Sequence, residues 1–261
     1  MIKLIATDMD GTWLNSEKTF DQDLFKRDLK LMQDHHINFV IASGNQYENL
    51  KTRFPGYVSQ LYFVAENGAL IAKGKQILAI DDLSQTDIDV LLTVAQKYHY
   101  PIVWAGLTSA YVFESDGPLM YNEMQKYYFK LKAVKSFNQI NDRLFKMSFI
   151  VPEGNVLPIV DDIRQNFPTL EVVAGSEFSI DISQKGMSKA VGLAKLGKKL
   201  GISAREMVAF GDSGNDVEML KYVGKSFVTA TGQSVAKQVA DEIIGSSDES
   251  SVQKKIIDLL S

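Results

Sequence analysis

The stretch Ile2-Lys3-Leu4-Ile5-Ala6-Thr7-Asp8-Met9-Asp10-Gly11-Thr12 is the place to begin, because a short apolar run stops there in a polar turn that carries glycine. The same event recurs three times. Ile37 to Ala42 runs into Ser43-Gly44-Asn45, and Leu61 to Ala65 into Glu66-Asn67-Gly68. Met207 to Phe210 runs into Gly211-Asp212-Ser213-Gly214-Asn215-Asp216. Runs this short and apolar throughout read as strands buried on both faces, as in a parallel sheet. Between them, Asp21 to His36 carries Leu24, Phe25, Leu29 and Met32 at helical spacing, and Ser188 to Leu200 does the same with Ala190, Leu193, Leu196, Gly197 and Leu200. Alternating strands and helices predict an α/β fold with right-handed crossovers and a Rossmann-like parallel sheet core. Ligands of such sheets bind beyond the carboxyl ends of the strands, where the polar clusters fall.

From about Leu83 to Ser183 the pattern changes. Helical stretches (Gln85 to Tyr98, Val156 to Asn166) mix with strand-like runs at Ile102 to Trp104, Ala110 to Phe113, Phe145 to Val151 and Leu170 to Val173. None of these runs ends in a conspicuous polar cluster. They predict an inserted α+β domain at 83–183, with 1–82 and 184–261 forming the core. There are no internal repeats.

Composition narrows the function. The 261 residues include 45% hydrophobic side chains, enough for a real core, and the formal net charge is −4. That balance offers no broad surface for nucleic acid or membrane. No cysteine is present, which excludes disulfides and thiolate metal sites. The N-terminal apolar run is too short for a signal peptide, and no segment reaches the roughly 20 apolar residues of a membrane helix. A cytoplasmic location is the expectation.

Asp8 and Asp10 lie two apart, so in extended chain both carboxylates face one side. Alone, Asp-x-Asp-Gly would read as a polar turn; the strand before it and Thr12 after it favour a site. Asp212, Asn215 and Asp216 form a second acidic cluster at spacings of three and four, where a carboxylate can also be an ordinary helix cap. Two such clusters at separate strand ends suit an oxygen-ligated cation such as Mg²⁺. Ser43 and the backbone amides at Gly44 can hold a phosphate oxygen, and Lys189 sits in the first turn of a helix, where charge and dipole together favour an anion. No dinucleotide or P-loop glycine motif is present.

Asp8-Met9-Asp10-Gly11-Thr12, Ser43, Lys189 and Gly211 to Asp216 follow the order of the four motifs of the haloacid dehalogenase superfamily. The chain resembles its Cof-like branch of bacterial sugar phosphatases, which Glu66-Asn67-Gly68-Ala69 and the large insertion also match. The resemblance implies a Mg²⁺-dependent phosphatase acting on small phosphorylated metabolites, sugar phosphates first, through a phospho-aspartate. It implies Asp8 as nucleophile and Asp10 as general acid and base. Asp8, the Asp10 carbonyl and Asp212 would be metal ligands, with Asp216 acting through a metal-bound water. Ser43, Gly44, Lys189 and Asn215 would meet the phosphate, and the insertion would be a cap that selects substrate; the position of Gly106 to Ser109 between two strand-like runs makes that loop the expected selector. Two positions depart from the family pattern. Asn45 stands where many relatives carry arginine, and Thr231-Gly232 where a Gly-Asn pair is frequent. A phosphomutase using the same aspartate, or a non-catalytic metabolite-binding regulator, are the alternative readings.

Overall fold

The computed structural model describes residues 1–261. They form two compact units: Met1–Asn45 with Phe54–Ile80 and Ser188–Ser261, and Gln46–Arg53 with Asp81–Met187. The strands in chain order are β1 (Leu4–Thr7), β2 (Asn38–Ala42), β3 (Tyr62–Ala65), β4 (Leu70–Lys73), β5 (Gln76–Ile80), β6 (Ile102–Gly106), β7 (Ala110–Phe113), β8 (Leu131–Val134), β9 (Leu144–Ile150), β10 (Leu170–Ser176), β11 (Ser179–Gln184), β12 (Met207–Gly211), β13 (Lys225–Thr229) and β14 (Glu242–Ile244). The helices are α1 (Gln22–Asp34), α2 (Tyr47–Thr52), α3 (Gln85–Tyr98), α4 (Gly117–Met124), α5 (Val156–Asn166), α6 (Lys189–Leu200), α7 (Val217–Tyr222), α8 (Ser234–Lys237) and α9 (Ser251–Leu260). No helix is long and apolar enough to cross a membrane.

The first unit is an α/β sheet in the order β14-β13-β12-β1-β2-β3-β4-β5. Its six strands from β14 to β3 are parallel. Every residue of β1, β3 and β12 is buried, which is why their sequences run apolar instead of alternating. The expected parallel core is present, and at one edge β4 and β5 extend it antiparallel, because the chain turns straight back after β3 and again at Gly74. Neighbouring side chains on a strand go to opposite faces. Leu4, Ala6, Val40 and Val64 meet Leu193 and Leu196 of α6 and Met219 of α7 on one side. On the other, Phe39 meets the Trp13 ring at 5.1 Å, and Trp13 meets Phe25 of α1 edge-on at 6.0 Å. Asp21 caps α1 through Asp23 N and Leu24 N, and Ser188 caps α6 through Val191 N.

The second unit is α+β, a six-stranded sheet in the order β10-β11-β9-β6-β7-β8 with only β7–β8 parallel. Trp104, Met147, Phe149, Ile180 and Ile182 pack against Leu91 and Val94 of α3 and Val160 and Ile163 of α5. A smaller cluster of Val103, Ala110 and Val112 packs against Met124 of α4. The sequence boundaries 83 and 183 differ from the observed breaks by a few residues. The larger difference is the segment 46–53. Glu48 pairs with Lys130 at 3.2 Å and Asn49 Nδ2 donates to Tyr127 O, so this short helix packs with residues far along the chain.

Candidate active site

The carboxyl ends of β1 and β12 are level: Thr7 pairs with Phe210, and Asp8 N donates to Phe210 O at 3.0 Å. Asp8 and Asp212, the first polar residues beyond these ends, are therefore brought side by side. Between them lies Gly11, with φ +76°; a Cβ there would sit 2.6 Å from Asp212 Oδ2, so only glycine fits. Thr12 Oγ1 donates to Asp212 Oδ1 at 3.1 Å, and Thr229 Oγ1 to Gly11 O, which fixes the turn. On the far side Asp216 Oδ2 accepts from Asp212 N and Ser213 N. Asp8, Asp212 and Asp216 each bring a carboxylate oxygen to within 4.8 Å of the others.

Lys189 is fully buried, 181 residues from Asp8 in sequence, and donates to Asp8 Oδ1 at 2.6 Å and to Asp216 Oδ1 at 2.7 Å. Its position depends on how closely α6 approaches the turn after β3. Gly68 has φ +100°, and a Cβ on it would lie 2.1 Å from Ser188 O, immediately before Lys189. Asp216, expected to act through a water, thus contacts Lys189 directly. Ser43 N donates to Val64 O, and Ser43 Oγ accepts from Asn45 N, at the end of β2. Asn215 is joined to the same region through Asn67: its Nδ2 donates to Asn67 Oδ1 at 3.3 Å, and Asn67 N donates to Ser43 O. The Asp10 carboxylate accepts from Asn45 Nδ2 on Oδ2 and from Lys18 Nζ on Oδ1, both at 2.8 Å.

Three carboxylates around one ammonium leave this centre short of positive charge. Burial, with Asp216 and Asp212 adding to it, pushes Asp8 up to about 8 against the pull of Lys189. Burial first and Asp216 second push Asp212 up to about 6. For Lys189 burial works downward, but Asp216 and Asp8 outweigh it and hold the ammonium charged well above the usual lysine range. Asp8 Oδ2 and Asp212 Oδ2 take no part in the hydrogen bonds described. Hard oxygen donors with unbalanced charge are the donor set a small divalent cation needs, so the residues present fit one. A buried ammonium beside a buried carboxylate has the charge to meet an anionic, oxygen-rich group.

Sequence reasoning did not single out Lys18, and it used Thr12 and Asn67 as members of motifs without giving either a contact. Asn45 was legible only as a departure from the family pattern; its contact with Asp10 was not.

Comparison with known proteins agrees with this geometry. Residues 5–256 match the haloacid dehalogenase-like hydrolase family. The chain is 34% identical over 256 residues to the Escherichia coli K12 protein named 5-amino-6-(5-phospho-D-ribitylamino)uracil phosphatase YbjI, covering 96% of this chain and 93% of that one. It is 26% identical to a Bacillus subtilis protein of the same named activity, YcsE, over 98% of this chain and 94% of the relative. Among solved structures, SMU.1108c from Streptococcus mutans UA159 is 34% identical and superposes with a TM-score of 0.91, covering 100% of this chain and 99% of that one.

Proposed function

The chain belongs to the haloacid dehalogenase-like hydrolases, and from that premise we propose that it is a Mg²⁺-dependent phosphatase working through a phosphorylated Asp8. The observation that supports this most is the Lys189 ammonium held between Asp8 and Asp216, with Asp212 beside them, at the ends of β1 and β12.

In this reading an Asp8 oxygen bonds to phosphorus as the bond from phosphorus to the ester oxygen breaks. Asp10 gives its proton to the departing oxygen. Asp10, now ionised, takes a proton from a water whose oxygen bonds to phosphorus; the Asp8–phosphorus bond breaks, Asp8 is restored and inorganic phosphate leaves. Lys189, the Ser43 hydroxyl and the Gly44 amide face the phosphoryl oxygens, and Asn215 orients that region together with Asn67. Mg²⁺ bound by Asp8, the Asp10 carbonyl and Asp212 would supply the positive charge that lets an anionic carboxylate meet an anionic phosphate. The unit built on β6 to β11 selects the leaving group as a cap.

For substrate we propose the phosphorylated ribitylaminouracil for which the two named relatives are called phosphatases, in place of the sugar phosphate expected from the sequence. The test is phosphate release with Mg²⁺ from 5-amino-6-(5-phospho-D-ribitylamino)uracil, flavin-type phosphates, nucleotides and a series of hexose and pentose phosphates. The expected kcat/KM is at least about tenfold higher for the ribitylaminouracil, the size of one good recognition contact. A hexose phosphate turned over faster would overturn the substrate, and full turnover after exhaustive chelation would overturn the metal.

A further inference from the structure

Asp10 is held at both carboxylate oxygens. Asn45 Nδ2 donates to Oδ2 and Lys18 Nζ to Oδ1, each at 2.8 Å. Lys18 belongs to none of the four motifs, and two independent features mark it.

The first is its backbone. Lys18 has φ +60°, a conformation that glycine, asparagine or aspartate takes with less cost than lysine. The surrounding turn imposes it. Lys18 N donates to Asn15 O, Asn15 N donates to Thr19 O, and Asn15 Oδ1 accepts from both Glu17 N and Thr19 N. The Asx-type turn determines the direction in which residue 18 leaves the chain. Strained backbone of this kind persists where the surrounding structure over-determines it, and it collects at functional sites.

The second is the kind of ion pair. The two side chains are 58% and 44% exposed, so solvent screens the attraction and the pair adds little to stability. What it changes is freedom of movement: an exposed carboxylate otherwise samples several rotamers, and two donors on its two oxygens remove that freedom.

On the reading that Asp10 is the general acid and base, we propose that Lys18 is a positioning residue, which together with Asn45 aims the Asp10 carboxylate at the leaving-group oxygen. Misaiming matters most when the leaving group needs its proton. An alkoxide needs it; a nitrophenolate, already a stable anion, hardly does.

The experiment uses the full chain with Mg²⁺ and compares an alkyl phosphate, ribitol 5-phosphate, with p-nitrophenyl phosphate. Lys18→Met is expected to lower kcat on the alkyl ester about tenfold, within the range set by small errors of alignment. KM should stay within about twofold, and the loss on p-nitrophenyl phosphate should be about threefold or less, since this step is less demanding there. Lys18→Arg should restore most of the alkyl-ester rate. In an Asp10→Asn background, Lys18→Met should have no further effect, because the two changes act through one group. Equal losses on both esters, a change in KM alone, or further loss in the Asp10→Asn background would overturn the inference. Asp10→Asn slow with Lys18→Met unaffected would overturn this inference alone. Asp10→Asn at the wild-type alkyl-ester rate would overturn the role of Asp10, and this inference with it.

Discussion

Asp8 is 6% exposed and is the nucleophile of the proposed mechanism. Asp8→Asn keeps the shape of the side chain and removes the nucleophilic charge. Lys189 retains Asp216 at 2.7 Å, so the buried ammonium is not left alone. The expected outcome is loss of turnover by roughly 10³-fold or more with the fold intact, since a nucleophile acts as a unit with its site. Circular dichroism and phosphate release on the same preparation check it, and wild-type turnover by the folded variant would rule out the covalent route. Asp8 and Asp212 drew attention in the sequence because each follows an apolar run, and Asp10 because it lies two residues from Asp8. Lys18 did not, because nothing in the pattern of residues 15–19 reports a backbone φ.

At the scale of elements, α1 contains a conflict. Phe25, Leu29 and Met32 share its buried face, and Asp28 lies on that face fully buried with neither carboxylate oxygen hydrogen-bonded. Burial pushes Asp28 up to about 8. Its folded pKa is thus above that of the unfolded chain, so its cost grows as pH rises from about 4 toward 8. Asp28→Leu should stabilise the protein by about 1–3 kcal/mol at pH 8, the order of an unsatisfied buried polar group, and by less at pH 5. Urea unfolding at the two pH values measures it; an equal change at both would show that ionisation is not the cause. In the second unit, the loop between β6 and β7 is tied by one carboxylate. Asp142 Oδ2 accepts from Thr108 N, Thr108 Oγ1, Ser109 N and Tyr111 Oη. Asp142→Ala frees that loop. If the loop selects substrate, the ranking of phosphate esters should change while p-nitrophenyl phosphate is far less affected. Uniform losses on every ester, with unchanged Tm, would count against a selecting role.

For the whole molecule, the shortage of positive charge around Asp8, Asp212 and Asp216 predicts a coupling between pH, metal and stability. Asp8 and Asp212 both have folded pKa values above their unfolded ones, near 8 and near 6. Without metal, the native state therefore binds more protons than the unfolded chain between about pH 4 and those values, and stability falls as pH rises through that window. A cation that binds the ionised form offsets this loss. Thermal unfolding in a chelator should show a lower Tm at pH 8 than at pH 5. Added Mg²⁺ should raise Tm more at pH 8, where protons no longer compete for the carboxylates. A Tm that ignores Mg²⁺ at pH 8 would remove the metal from this site.

What the sequence determined by itself was local. Strands β1, β2, β3 and β12 announce themselves because burial on both faces demands apolar residues one after another, and α3 and α5 because a helix repeats its neighbours every three or four positions. These signals need only residues a few places apart. The antiparallel turn-back at β4 and β5, the attachment of 46–53 to the second unit, and the meeting of Lys189 with Asp8 across 181 residues were decided by the tertiary structure. Each depends on strand register and helix approach summed over the whole sheet, and the physical forces that select a register act through space between residues the chain keeps far apart.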